Sequence, residues 1–279
     1  MDKQQYPIGV FDSGYGGLTV LKEFMDILPQ YDYIYLGDNA RAPYGTRSFE
    51  SVYQFTLECV RSLFDMGCRL VILACNTASA KALRTIQQHD LPRLYPDRRV
   101  LGVIRPTTEQ AGLLTTSGHL GIFATSGTVQ SQSYSIEIQK FFPNIRIYQE
   151  ACPMWVPLIE NNEHESPGAD YFVKQHIGRL LSRSSSMDAV VLACTHYPLL
   201  MRKIRSFMPI HVRIISQGPI VAKSLSDYLK RHPEIERQCS KGKTAFFFTT
   251  DDSAMFDLKA SIFFGKKLTS SHLKIKILP

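Results

Sequence analysis

No Cys-x-x-Cys pair occurs in the chain, although it carries six cysteines, Cys59, Cys68, Cys75, Cys152, Cys194 and Cys239. This spacing argues against a zinc ribbon and a thioredoxin-type redox pair, and in a reducing cytosol all six stand as free thiols. No apolar run approaches the ~18 residues that span a bilayer. Even Leu70–Ala74 and Ala189–Ala193 are flanked by polar residues, so a membrane partner is not expected. Met1 to Gln5 lack the basic start and apolar stretch of a secretory leader, which predicts a cytoplasmic protein. A Walker A pattern and low-complexity segments are also missing. The net charge is +7, yet Lys and Arg are spread along the chain without a nucleic-acid motif. Nucleic acid is therefore not the expected partner, and the positive field suits an anionic small molecule. The Lys266, Lys267, Lys274 and Lys276 cluster reads as a solvated surface.

What is present is an alternation of short β-branched runs with longer segments of helical period, the pattern of βαβ units around parallel sheets. Gly9-Val10-Phe11 predicts a first strand. Leu18, Leu21, Met25 and Leu28 fall on one helical stripe that Pro29 stops. Strand Tyr33–Leu36 follows, then a helix from the N-cap Ser48 through Val52, Phe55, Cys59 and Leu63 to Gly67. Next come strand Leu70–Ala74, a helix to about His89, and strand Val100–Ile104. This order recurs 112 to 119 residues later: Gly9-Val10-Phe11 is echoed by Gly121-Ile122-Phe123, Leu70–Thr77 by Ala189–His196, and Val100–Ile104 by Val212–Ser216. A period that long implies two domains of matching topology rather than a solenoid. The alternative is that parallel strands resemble one another by composition, which matched cysteines and hydroxyls at the strand ends argue against. The expected fold is α/β, with two pseudo-symmetric domains, each a mostly parallel sheet flanked by helices, and a site in the cleft between them. Residues 1–104 with 217–279 would form one domain and 105–216 the other. The carboxyl segment, with a helix through Leu225 and Leu229, a strand Phe246–Phe248 and a helix around Met255–Phe263, would return to the first.

Ligands of open parallel sheets bind beyond the carboxyl ends of the strands. That rule selects Asp12 and Ser13, Asp38 and Asn39, and Cys75, Asn76 and Thr77 from the first half. From the second it selects Thr125 and Thr128, Glu150 and Cys152, and Cys194, Thr195 and His196. Domains facing each other would set Cys75 and Cys194 on opposite walls, as inversion at a carbon requires when one group takes a proton and another returns one. Either cysteine alone reads equally as a small buried hydrophobe. His196 and Asp12 are placed to poise the two thiols, while Asp12-Ser13 reads also as a helix cap. Asn76, Thr77 and Thr195 suit an α-carboxylate, and Ser13, Thr125 and Thr128 add donors. Pro43-Tyr44-Gly45 predicts a turn whose ring closes over the site, or an ordinary loop. Gly14-Tyr15-Gly16-Gly17-Leu18-Thr19, with Asp38 after the second strand, begins like a dinucleotide fingerprint but has Thr19 where Gly or Ala belongs.

Taken together, Asp12-Ser13-Gly14-x-Gly16-Gly17, Asp38-Asn39 leading to Pro43-Tyr44-Gly45, Ala74-Cys75-Asn76-Thr77-Ala78-Ser79 and Cys194-Thr195-His196-Tyr197-Pro198 closely resemble the glutamate racemase family of the aspartate/glutamate racemase superfamily. The match runs from Gly9 to the Phe246–Thr250 region. The resemblance implies cofactor-independent interconversion of L- and D-glutamate, no metal, and supply of D-glutamate for peptidoglycan, with an aspartate or other acidic amino-acid racemase as the alternative. It implies Cys75 as the base toward D-glutamate and Cys194 toward L-glutamate, assisted by Asp12, His196 and Glu160. Ser13, Tyr44, Gly45, Asn76, Thr77, Thr125, Thr128, Thr195 and His196 match substrate-binding positions, as does Asp12, and a homodimer is compatible with it. Two departures stand out. Arg105 stands where members of the family it resembles often carry a different residue, and Ser216-Gln217-Gly218 replaces the more usual acidic Asp-Ser type turn.

Overall fold

The computed structural model describes residues 5–276. Met1–Gln4, most of the segment read for a leader, lie outside the described residues, as do the last three positions. Among the described residues no helix is long and apolar enough to cross a membrane.

Among the described residues ten strands, numbered in chain order, form two parallel sheets, one in the order β10-β9-β2-β1-β3-β4 and the other β6-β5-β7-β8. In the first sheet β1 (Ile8–Asp12), β2 (Tyr33–Gly37) and β3 (Leu70–Leu73) are buried throughout, because helices cover both faces, and β4 (Arg99–Gly102) lies beside β3. The second sheet holds β5 (His119–Ala124), β6 (Arg146–Ala151), β7 (Ala189–Ala193) and β8 (Arg213–Ser216).

The recurrence read from the sequence extends to the register. Gly9, Val10 and Phe11 pair with Val71, Ile72 and Leu73. Their echoes Gly121, Ile122 and Phe123 pair with Val190, Val191 and Leu192. A one-residue slip would turn every side chain to the opposite face, so identical register in both halves carries Cys75 and Cys194 to equivalent places.

The chain then returns to the first sheet, where β9 (Ala245–Thr249) pairs with β2 and β10 (Ser270–His272) with β9. Helix Phe49–Asp65 is capped by Ser48, whose hydroxyl accepts from Ser51 N–H, and Gly67 follows it with φ of +97°, a left-handed conformation that suits glycine.

Some boundaries depart from expectation. In helix Leu18–Ile27 the buried stripe includes Phe24, and Met25 is only half-buried. The strand expected at Val100–Ile104 ends at Gly102, and Ile104 opens a helix that packs into the second sheet's core. The helix expected to reach His89 is broken at Ala82 into Asn76–Lys81 and Leu83–Thr85, followed by a π-helical turn, Ile86–Asp90. All four lysines of the 266–276 cluster are exposed.

Candidate active site

Adjacent strands β1 and β3 deliver Asp12, Ser13 and Cys75 to one wall of the cleft. Cys75 caps helix Asn76–Lys81: its sulfur accepts from Ala78 N–H at 3.5 Å and lies 3.4 Å from Ser13 Oγ. On the other wall Cys194 follows β7. Unlike Cys75 it does not open an α-helix; a tight 3-10 turn, Tyr197–Leu200, intervenes. The difference matters, because the turn holds His196 Nδ1 3.9 Å from the Cys194 sulfur, and His196 Nε2 lies 2.9 Å from Glu160 Oε1. Both sulfurs line a single cavity of about 90 Å³. Drug-sized ligand sites usually run to ~300–1,000 Å³, so this one suits a smaller molecule.

The two thiols have different surroundings. Burial, then the nearby Asp12 carboxyl and the Cys194 sulfur, push the Cys75 pKa up to about 12 against the Ser13 and Ala78 hydrogen bonds. Burial also raises Asp12, opposed by His196 and by the amides of Gly17 and Gly14. For His196 burial favours the neutral ring, but hydrogen bonds to Cys194 and Glu160 outweigh it and raise the pKa to about 10.

This asymmetry has a measurable effect on stability. The folded chain holds the His196 proton more tightly than free imidazole, with its value of 6.5. Its contribution is therefore fully present below about pH 6.5 and is lost as pH rises through about 10. The gap in thermal midpoint between the wild type and His196→Asn should be large near the lower limit and shrink toward the upper. A constant gap across that window would show that the ring only fills space.

Donors ring the cavity. Thr77 Oγ1 lies 2.9 Å from Thr125 Oγ1 and 3.5 Å from Thr128 Oγ1, joining the two walls. Ser13, Tyr44, Gly45, Asn76, Thr77, Thr125, Cys194, Thr195, His196 and Glu160 all line it. Asp12 and Thr128 do not. Asp12 is fully buried behind the wall, where Gly14 N–H (3.0 Å) and Thr195 Oγ1 (3.4 Å) donate to it, and Thr128 is buried behind Thr125. The Pro43–Gly45 turn is no ordinary solvent loop. Tyr44 is 1% exposed with its hydroxyl on Asp38, and Gly45 O accepts from Gly127 N–H of the opposite wall at 2.8 Å.

Three strand-end residues do other work. Asp38, the ribose acid of the dinucleotide reading, is fully buried and bound by Tyr44, Arg41 (2.7 Å) and Thr250 (2.8 Å). Asn39 accepts from Thr249 at 3.1 Å. Glu150 pairs with His176 at 2.9 Å and Arg183 at 2.5 Å. Cys152, two residues on, does line the cavity, with Pro153, Val156 and Pro157. Glu160 ends helix Trp155–Glu160, outside any strand-end rule; the residue motif revealed it, whereas periodicity does not. Arg105 is exposed and pairs with Glu109 at 2.8 Å, away from this cavity.

A family model for Asp/Glu/hydantoin racemases matches residues 19–225, most of the chain and both cysteine motifs. The chain belongs to this racemase family. It is an amino-acid racemase, an isomerase. Glutamate racemase from Geobacter metallireducens is 38% identical over 262 residues, covering 94% of this chain and 93% of the relative. Among solved structures, glutamate racemase isoform RacE1 from Bacillus anthracis superposes with a TM-score of 0.87 at 32% identity, covering 97% of this racemase and 98% of that chain. Glutamate racemase from Francisella tularensis, solved with D-glutamate, superposes with a TM-score of 0.84 at 30% identity, with 98% of each chain covered.

Proposed function

We propose that this racemase interconverts L- and D-glutamate with Cys75 and Cys194 as its two acid–base groups, without a cofactor, and supplies D-glutamate for peptidoglycan in the cytoplasm. The observation that carries the reading is one small cavity lined by two sulfurs, each from the end of an equivalent strand in a duplicated fold. The relatives' substrate agrees with a cavity rich in hydroxyl and amide donors for two carboxylates. In this reading residues 1–104 with 217–279 form one domain and residues 105–216 the other, and the cleft between them is the site.

With L-glutamate bound, the Cys194 thiolate, beside the His196 imidazolium that Glu160 holds, removes the α-proton. Cys75 enters this direction as a thiol, in keeping with its raised pKa, and gives a proton to the opposite face. The reverse reaction exchanges the roles, with Cys75 the base toward D-glutamate. Negative charge developing on the α-carboxylate falls under Asn76, Thr77 and Thr195, where fixed donors in a water-poor cavity act most strongly. Ser13, Thr125 and the Tyr44–Gly45 turn orient the rest of the substrate, and Thr128 and Asp12 hold Thr125 and Thr195 from behind.

Deuterated buffer tests this directly. Incubated with L-glutamate and no added cofactor, the enzyme should give D-glutamate carrying one deuterium at the α-carbon, while early unreacted L-glutamate keeps its protium. Product that retains protium would exclude exchange through two separate thiols. Faster turnover of L-aspartate would assign the shorter acid as substrate.

A further inference from the structure

The turn Ser216-Gln217-Gly218 holds the centre of a buried hydrogen-bond ring. Asn76 Nδ2 donates to Gln217 Oε1 at 2.9 Å, Gln217 Nε2 donates to the Tyr134 hydroxyl at 2.5 Å, and that hydroxyl donates to Asn76 Oδ1 at 2.7 Å. Each member gives to the next, so the ring closes with every group satisfied. Gln217 Nε2 also faces Thr107 Oγ1 at 2.9 Å and Val103 O at 3.4 Å. Asn76, Tyr134, Thr107 and Gln217 are all at most 6% exposed. Rotating the Asn76 amide alone would set its oxygen against Gln217 Oε1, acceptor on acceptor, and turning both amides would set Gln217 Oε1 against Val103 O, so the ring and that carbonyl together fix which end of the amide is which.

The ring also joins the two halves. Asn76 follows β3 of the first sheet, Tyr134 lies on helix Ser133–Phe141 beside the second, and Gln217 sits where the chain crosses from β8 back toward the first sheet. Both polar ends of Asn76 are thereby occupied, with one N–H to spare, and Asn76 lines the cavity.

We infer that Gln217 is a positioning residue for the reaction: through the ring with Tyr134 it aims the remaining Asn76 N–H at the substrate α-carboxylate, and only with the two halves closed. The inference rests on the reading of Asn76 as a carboxylate donor given above. A residue acting solely through Asn76 has nothing left to affect once that amide is gone.

The test is a double-mutant cycle measured on glutamate racemisation. Gln217→Met keeps length and removes both polar atoms, and should lower kcat/KM by about tenfold, the scale of one lost hydrogen bond to a charged group. In an Asn76→Ala background the same change should have almost no further effect. Tyr134→Phe deletes one oxygen from the ring and should behave in the same way, so the cycle can be closed with either variant. A hinge residue that merely stabilised the fold would give losses that multiply in the double variant. Multiplying losses, or an unchanged kcat/KM in Gln217→Met and Tyr134→Phe, overturn the inference while leaving the racemase reading intact. A wild type that does not racemise glutamate overturns both.

Discussion

Replacing either Cys75 or Cys194 by serine is expected to lower kcat/KM for racemisation, in both directions, by about 10³- to 10⁴-fold, the upper range for a positioned general acid or base. A serine hydroxyl is too weak an acid to supply a base near neutral pH, and inversion needs a competent group on each face. Loss of one thiol therefore stops the cycle in both directions, since the group that accepts the proton one way must donate it the other way. The competing account treats the sulfurs as packing, since both are buried at 6% and 7% exposure. That account predicts a different result, because a hydroxyl buried in place of a thiol costs about 1–3 kcal/mol when it finds no partner, and this appears as a lower thermal midpoint. Activity and melting should be measured on the same preparation. A variant that melts early but racemises at full rate when folded would defeat the two-thiol mechanism; one that melts normally and is inactive supports it.

The two variants should not behave alike as pH changes. The Cys194 sulfur faces His196, which Glu160 holds, whereas the Cys75 sulfur meets the Ser13 hydroxyl and the Ala78 amide. This difference could not be read from the motifs, which place a cysteine after a strand in both halves. It follows from the chain after Cys194 forming a tight turn around Pro198, which turns His196 back on the sulfur. The duplicated strands themselves were legible because β1, β3, β5 and β7 are buried on both faces and so carry unbroken apolar runs. β10 was not, since Ser270–His272 is a short, polar edge strand with nothing apolar to mark it. Val103 and Ile104 read as strand because they are buried, yet burial there comes from the crossing between the two sheets rather than from β4. Among site residues, those at strand ends could be found from the chain order. Glu160 could not, since a carboxylate at the end of a six-residue helix gives no periodic signal, and the ties of Asp38 to Thr250 and of Glu150 to His176 and Arg183 reach across the chain.

Gly16→Ala is expected to lower kcat/KM by about 10²-fold while leaving both cysteines in place, the penalty that a displacement of ~1 Å can impose on a catalytic group. Read as sequence, Gly14-x-Gly16-Gly17 could have served a pyrophosphate. In the fold Gly16 answers a different need, the close approach of the opposite half. A β-carbon on Gly16 would collide with Thr195 Oγ1 and His196 Nδ1 and stand 2.7 Å from His196 Cε1. Thr19, the residue that spoils the dinucleotide pattern, closes the same contact by donating to Gly16 O at 2.8 Å and to Thr195 O at 3.0 Å. The extra methyl must therefore move His196, and with it the 3.9 Å contact to Cys194 and the 2.9 Å hydrogen bond to Glu160. Gly14 is the matched control, because a β-carbon there meets nothing nearer than 3.6 Å. Gly14→Ala should lose far less activity, although it lies in the same loop and removes the same backbone freedom. Equal losses in the two variants would mean that the loop needs flexible glycine rather than room for His196. Wild-type activity in Gly16→Ala would mean that the imidazole next to Cys194 is not needed where this structure holds it.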